Sequence, residues 1–529
     1  MMGPRQSRNA KLFYAGVNIE ERLDSHAPLR TIAATVDFAF VRLEVARLYG
    51  VRGNPSLDPI LVLKLLFLLF YENVSSEREL IRQLPCRLDW LWFLELDLDS
   101  AIPDHSVLSK ARQRWGQEVF TGFFKRVLGQ CVAAGLVDGT RVHIDGSLIA
   151  ANADAAKLTL ALEFTGQALY GQLETAAGDT APPPAPPAAA PAAAPVAAGS
   201  TNSAGPVIPA APLESAATPP ASVLPPGTLY CPTDPEARLS RKRGQSVLGY
   251  KDHRVVDDRC GIITATLTTA ATVAESAMLE AALDEHEANT GRVVLEPTAD
   301  KGYGTADNYV RLQGRGCRPC IPHPAVREDK TKFSRSLFIY NLKDDTYRCP
   351  AGEFLTRGGL RCDGRYKYQT DREVCMSCPL RSQCTTSDQR VFSRQVHQDA
   401  IDWADTCLSP GRRHGRLRRR KIRAEGSFAD AANRHGYKRA RWRGTARVAI
   451  QNLLIATTQN LRKLIRLGPA GRRRAAGSLP QTVIKAGILA FQPRRVLGRL
   501  ILRPHLHRYE LMPCSLSHAA SSLQRGELV

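Results

Sequence analysis

The sequence predicts a mixed α/β (α+β) fold with an all-helical N-terminal region. Three observations carry this: helical apolar spacing through residues 31–128, a strand at 141–152 with further strands and helices after a Pro/Ala-rich break, and a cysteine-rich stretch at 345–390. The 529 residues suffice for two or three domains and a sizeable core.

In the N-terminal region, 36–50 has helical spacing and a glycine stop at Gly50. The apolar run 60–71 carries Lys64 and is too short to span a bilayer, so it reads as a buried core helix. Ser76 followed by Glu79 is a capping-box signature for a helix over 76–84. Residues 103–115 open with Pro and Asp and end basic. Short helices joined by tight turns, one of them basic, read either as a helix-turn-helix-like DNA reader or as a plain helical packing layer.

"RVHIDGSLIAAN" (141–152) reads as a strand in which Val142 and Ile144 bracket Asp145. A charge inside an apolar strand is costly unless it is paired or binds a metal. Residues 176–228 are rich in Pro and Ala, almost uncharged and aperiodic, a low-complexity insert that interrupts the domain. A hairpin follows at 247–258 and 260–270, then a helix at 275–289, a strand at 292–300 ending on Asp300, and a further strand at 318–323. Residues 447–465 read as a helix laid on a sheet, with Ala449, Leu453, Ala456, Asn460 and Leu464 on one face.

Cys375-x2-Cys378 has metal-ligand spacing, and Cys384 and Cys349 complete a four-thiolate set suited to tetrahedral structural zinc. Pro350, Gly352 and Pro379 suit tight ligand turns; Cys362 is a spare candidate, and Cys317 and Cys320 read as core. The alternative is a set of reduced thiols. Thirteen cysteines behind an opening segment without an apolar leader core point to the cytosol rather than to disulfides.

The net charge of +21 is clustered, which points to nucleic acid as the partner. Residues 412–421 hold seven Lys/Arg, ending at Lys421, and 434–443 add Arg434, Lys438, Arg439, Arg441 and Arg443 with Tyr437 and Trp442 interleaved. Cations neutralise phosphates and aromatics stack on exposed bases. Glu425 stands between the two blocks. A carboxylate among phosphate-binding cations makes sense as a ligand to a divalent ion that the phosphate also binds. Asp145, Asp300 and Glu425, from three separated elements, can together hold two magnesium ions for in-line phosphoryl displacement. Asp300 sits where a strand breaks, beside Lys301, and Gly302 and Gly304 leave room for a DNA backbone. A P-loop and a G-x-S-x-G elbow are both absent from the sequence, so neither ATP nor a serine nucleophile is expected.

"HIDGSLIAANA", "TADKGYGTADN", "RAEGSFADAANRHGYKRARWRG" and "NLLIATTQNLRKL" resemble bacterial insertion-sequence transposases of the DDE type. "LDPILVLKLLFLLFYENVSSERELIRQL" with "PDHSVLSKARQR" resembles the helical N-terminal domain of one branch, and the four cysteines resemble that branch's insert. The resemblance spans roughly 35–465. It implies an RNase H-like catalytic core with Asp145, Asp300 and Glu425 as its magnesium-binding triad, manganese being a possible substitute. It also implies cleavage of double-stranded DNA at terminal inverted repeats, followed by attack of the freed 3′-hydroxyl on target DNA.

The expected organisation is a helical DNA-binding domain at 1–130 and the catalytic domain at 138–175 and 229–465. The Pro/Ala insert (176–228), the zinc-ribbon-like cysteine insert (345–390) and a basic tail (466–529) complete it. Cutting two ends together suggests a homodimer on DNA, with no membrane involved. Ala432 stands where the family often has lysine, and Arg434 is the substitute candidate. The competing readings are a non-cutting DNA-binding relative that represses its element, and a nuclease of the same core.

Overall fold

The computed structural model describes residues 2, 19–50, 52, 55–160, 228–323 and 331–469, except 243 and 363. Nearly all of the Pro/Ala insert and of the basic tail lies outside these residues.

Among the described residues, six helices of six residues or more form the N-terminal layer: α1 (Pro28–Thr35), α2 (Phe40–Val45), α3 (Pro59–Tyr71), α4 (Glu77–Gln83), α5 (Leu88–Leu94) and α6 (Ser106–Ala133). α2 begins later than the apolar spacing suggests, because the Asp37 carboxylate accepts the Ala39 N–H and makes a turn instead. α3 starts where the Asp58 side chain accepts the Ile60 N–H and Pro59 supplies its fixed φ. Every residue of α3 from Pro59 to Phe70 is buried. Lys64 is tolerated there because Nζ donates to the Phe93 carbonyl at 2.8 Å and pairs with Glu95 at 2.9 Å. The Ser76 hydroxyl caps α4 by accepting the Glu79 N–H. α6 extends well past residue 115 and kinks at Gly116, whose φ of 67° no α-helical residue adopts.

The central sheet contains β1 (Arg141–Ala150), β2 (Arg238–Lys242), β3 (Gln245–Asp257), β4 (Ile263–Ala270) and β5 (Glu296–Thr298). β3 pairs antiparallel with β1 on one edge and with β2 and β4 on the other, while β1 pairs parallel with β5. β5 is shorter than expected, and Pro297 at its centre has no N–H for the ladder. The expected strand at 318–323 is reduced to one bridge, Cys320 to Thr298. A 3₁₀ turn (Glu275–Met278) leads into α7 (Leu279–Thr290), and α8 (Ala306–Gly314) follows β5.

Neighbouring sheet residues serve opposite layers. Val255 packs with Leu279 and Leu283 of α7, whereas Val256 joins the core of the helical layer. The cysteine-rich region is a separate five-stranded sheet: β6 (Ile339–Asn341), β7 (Thr346–Arg348), β8 (Phe354–Leu360), β9 (Arg365–Gln369) and β10 (Val391–Gln395). They run in spatial order β10-β9-β8-β7-β6 around a core of Phe338, Tyr347, Leu355, Tyr368 and Phe392.

The chain then returns through α9 (Gln398–Thr406), α10 (Pro410–Arg420), a π turn (Lys421–Glu425), α11 (Gly426–His435) and α12 (Thr445–Leu467). The face of α12 running from Ala449 to Leu464 is buried as its spacing predicts. The opposite face is buried too, because α12 is clamped between the sheet and α3 and α6. Asn460 pairs with both the N–H and the carbonyl of Ile263, closing the edge of β4.

Candidate active site

On β1, His143, Asp145, Ser147 and Ile149 turn to the face covered by α10, α11 and the loop to α12. His143 meets Asp258 at 2.8 Å, Asp145 meets Arg420 at 3.2 Å, and Ser147 meets Lys438 at 2.8 Å. Strand periodicity therefore lays a file of polar groups along the sheet. Val142 and Ile144, on the other face, pack with α7.

Asp145 is largely enclosed, its side chain 13% exposed against 47% for Glu425. Burial pushes its carboxyl up to about 6; Arg420 opposes the shift, and the charges of Asp300 and Glu425 add to it. Asp300 lies just past β5, beside the strand that carries Asp145. Its side chain caps the 3₁₀ turn Lys301–Tyr303 by accepting the Gly302 N–H at 2.8 Å. Glu425 ends the π turn and accepts from Arg420 Nη2 at 2.8 Å. One guanidinium thus bridges Asp145 and Glu425, and Asp300 stands within electrostatic reach of Asp145. Among the described residues, no three His, Cys, Asp or Glu side chains stand close enough together to hold an ion.

The glycines near Asp300 are required by the protein's own packing. A Cβ on Gly302 would lie 2.6 Å from Glu275 Oε2, and one on Gly304 would lie 2.3 Å from the Pro322 carbonyl. Glu275, which sequence reading passed over, also reaches toward Gly146, next to Asp145.

Part of the basic stretch is tied to the protein's own acids. Arg413 pairs with Asp405, Arg416 with Glu296 and Asp258, Arg419 with Asp258, and Arg420 with Asp145 and Glu425. Of the proposed DNA contacts, Lys301, Lys421, Arg434, Lys438, Arg439 and Arg443 are exposed. Arg434 pairs with Asp430 at 3.3 Å, and Arg443 donates to the Asn152 carbonyl at 3.0 Å.

Arg441 is a correction. It donates to the carbonyls of Leu69 and Val74 and to Asn73 Oδ1, and so caps the end of α3. Burial lowers its guanidinium to about 10. Tyr437 and Trp442 are corrections as well: both are buried, Tyr437 under Arg254 and Trp442 against Phe70 and Arg112, so neither offers a face to a base. Behind them Arg254 and Asp252 form a fully buried pair at 2.8 Å that ties α11 and α12 to the sheet through Gln459.

In the insert, Cys349, Cys375, Cys378 and Cys384 line one cleft with Phe333, Phe338 and Leu355, while Cys362 is exposed elsewhere. The Cys384 thiol is pushed up by burial, against Arg390, with Cys375, Cys349 and Cys378 adding to the rise. Thiols are the donor type that structural zinc takes, but these four line the cleft without closing on one point. Cys317 and Cys320 are buried, as a core role requires.

Two family models match the chain. A transposase domain (DUF772) covers residues 17–114, and a transposase DDE domain covers residues 348–465, which include Glu425. Together the two matches support an insertion-sequence transposase of the DDE type. Neither the curated proteins nor the solved structures give a match. No helix among the described residues is long and apolar enough to cross a membrane.

Proposed function

We propose that this transposase cuts double-stranded DNA at the ends of its element and joins the freed 3′-hydroxyls to target DNA. The core is RNase H-like, with Asp145, Asp300 and Glu425 as ligands for two magnesium ions, or manganese in their place. The carrying observation is the convergence on Asp145: it lies mid-strand, Asp300 follows the adjacent parallel strand, and Glu425 descends from the helices over the same face. The strand order, an antiparallel β4-β3-β1 followed by parallel β5, supports the core assignment.

When bound, the ions would activate the attacking oxygen and stabilise the leaving one. The protein's part is to hold three carboxylates on separate rigid elements and to line the approach with Lys301, Lys421, Lys438, Arg439 and Arg443. The N-terminal helices serve as a DNA-binding layer, two copies act on paired ends, and the four insert cysteines hold a structural zinc. The protein works in the bacterial cytoplasm, on the nucleoid.

Asp300→Asn tests this. It should lower strand cleavage by about a thousandfold or more, the loss of several kcal/mol of transition-state stabilisation, and leave DNA binding intact. If wild-type protein binds element ends but never cuts, the repressor reading replaces this one. Nicks without joined products would leave a nuclease.

A further inference from the structure

We propose that Arg420 is an internal competitor for the metal position: its guanidinium and a divalent cation use the same two carboxylates, so ion loading requires Arg420 to swing away. This rests on the reading of Asp145, Asp300 and Glu425 as metal ligands.

Local geometry places Arg420 there. It ends α10, and Glu425 follows five residues later. On a regular α-helix, residues five apart diverge by about 140° around the axis. The π turn Lys421–Glu425 closes i→i+5 instead, which returns Glu425 to the face of Arg420. Nη2 then reaches Glu425 at 2.8 Å, and Nη1 reaches Asp145, from β1, at 3.2 Å.

The pairing is held by charge more than by fit. Arg420 is only 9% exposed, yet Nε and Nη1 have no hydrogen-bond partner. Arg441, whose role is to cap α3, donates to three acceptors. A buried guanidinium with unused donors is costly to keep. It stays because it separates acids that would otherwise repel, the same service a divalent ion would render. Once displaced, its free donors suit a phosphate oxygen, so DNA entering the cleft would favour ion loading.

The test measures Mn²⁺ binding to the DNA-free protein, by loss of the free-ion paramagnetic resonance signal. Arg420→Gln should tighten binding by about tenfold, since one positive charge leaves the carboxylates. Its melting temperature should rise more on adding Mn²⁺ than that of wild type. Arg420→Lys, which keeps the charge but cannot bridge both acids, should fall between and serves if the glutamine variant does not fold. Folded variants that bind Mn²⁺ no tighter than wild type would overturn the proposal. Asp145→Asn separates the two readings. If it leaves wild-type Mn²⁺ binding unchanged, the triad assignment fails and this inference with it. If binding depends on Asp145 but not on Arg420, only the competitor role fails.

Discussion

The helical layer and the cysteine insert are held together in different ways. The layer shares one core with the central sheet, running from Leu29 through all of α3 to Leu464. The insert has five buried apolar residues of its own, and Ile339, Leu342, Phe354 and Leu360 remain exposed. Burial scales steeply with size, so a unit this small needs a staple that the layer does not. The four half-buried thiols are the candidate staple. The comparison teaches that buried area accounts for the layer, whereas the insert has little buried area of its own.

The largest expected effect would sharpen that contrast. Stripping zinc with a chelator, or Cys375→Ser, should raise amide exchange across 331–395 by several kcal/mol of lost protection and leave α12 protected. Unchanged exchange in the insert would remove zinc from the account. Phe67→Ala should do the converse. Phe67 is fully buried among Phe38, Tyr71, Phe93 and Phe123, so its loss should cost about 3–5 kcal/mol in denaturant unfolding of the shared core.

A smaller effect depends on pH. Burial, with Lys251 adding, pushes the His253 imidazole down to about 3. The unfolded chain takes up that proton near pH 6.5, whereas the folded chain does so only near 3. His253 therefore contributes stability above pH 6.5 that is lost as pH falls toward 3, by up to about 1.4 kcal/mol per pH unit. Denaturant melts at stepped pH should show a shallower acid slope for His253→Gln. The smallest effect is at a helix start: Ser76→Ala should cost about 1 kcal/mol by thermal melting, because the Glu79 N–H loses its acceptor.

What the sequence made legible is what local rules govern. The burial of 60–71, the cap at Ser76, the strand around Asp145 and the buried face of α12 all follow from periodicity and side-chain chemistry. What it hid depends on partners far along the chain. Arg413, Arg416 and Arg419 read as free cations until Asp405, Asp258 and Glu296 fold beside them. Tyr437 and Trp442 read as stacking platforms until α3 and Arg254 cover them. The π turn had no propensity signature, yet it sets the register of Glu425. Arg420 was visible only as one member of a basic run, and its spacing from Glu425 gains meaning only once that turn is known.

The burial of α3 has a consequence for how the chain is made. His435 donates to the Phe70 carbonyl across 365 residues of sequence, and Arg441 and Trp442 cover the same helix end. At about 5–20 residues per second those covering residues leave the ribosome roughly 20 to 70 s after α3 does. For that interval one of the most apolar segments of the nascent chain lacks part of its cover. Newly made transposase should therefore depend on holding chaperones, and its supply of folded protein should fall first when they are scarce.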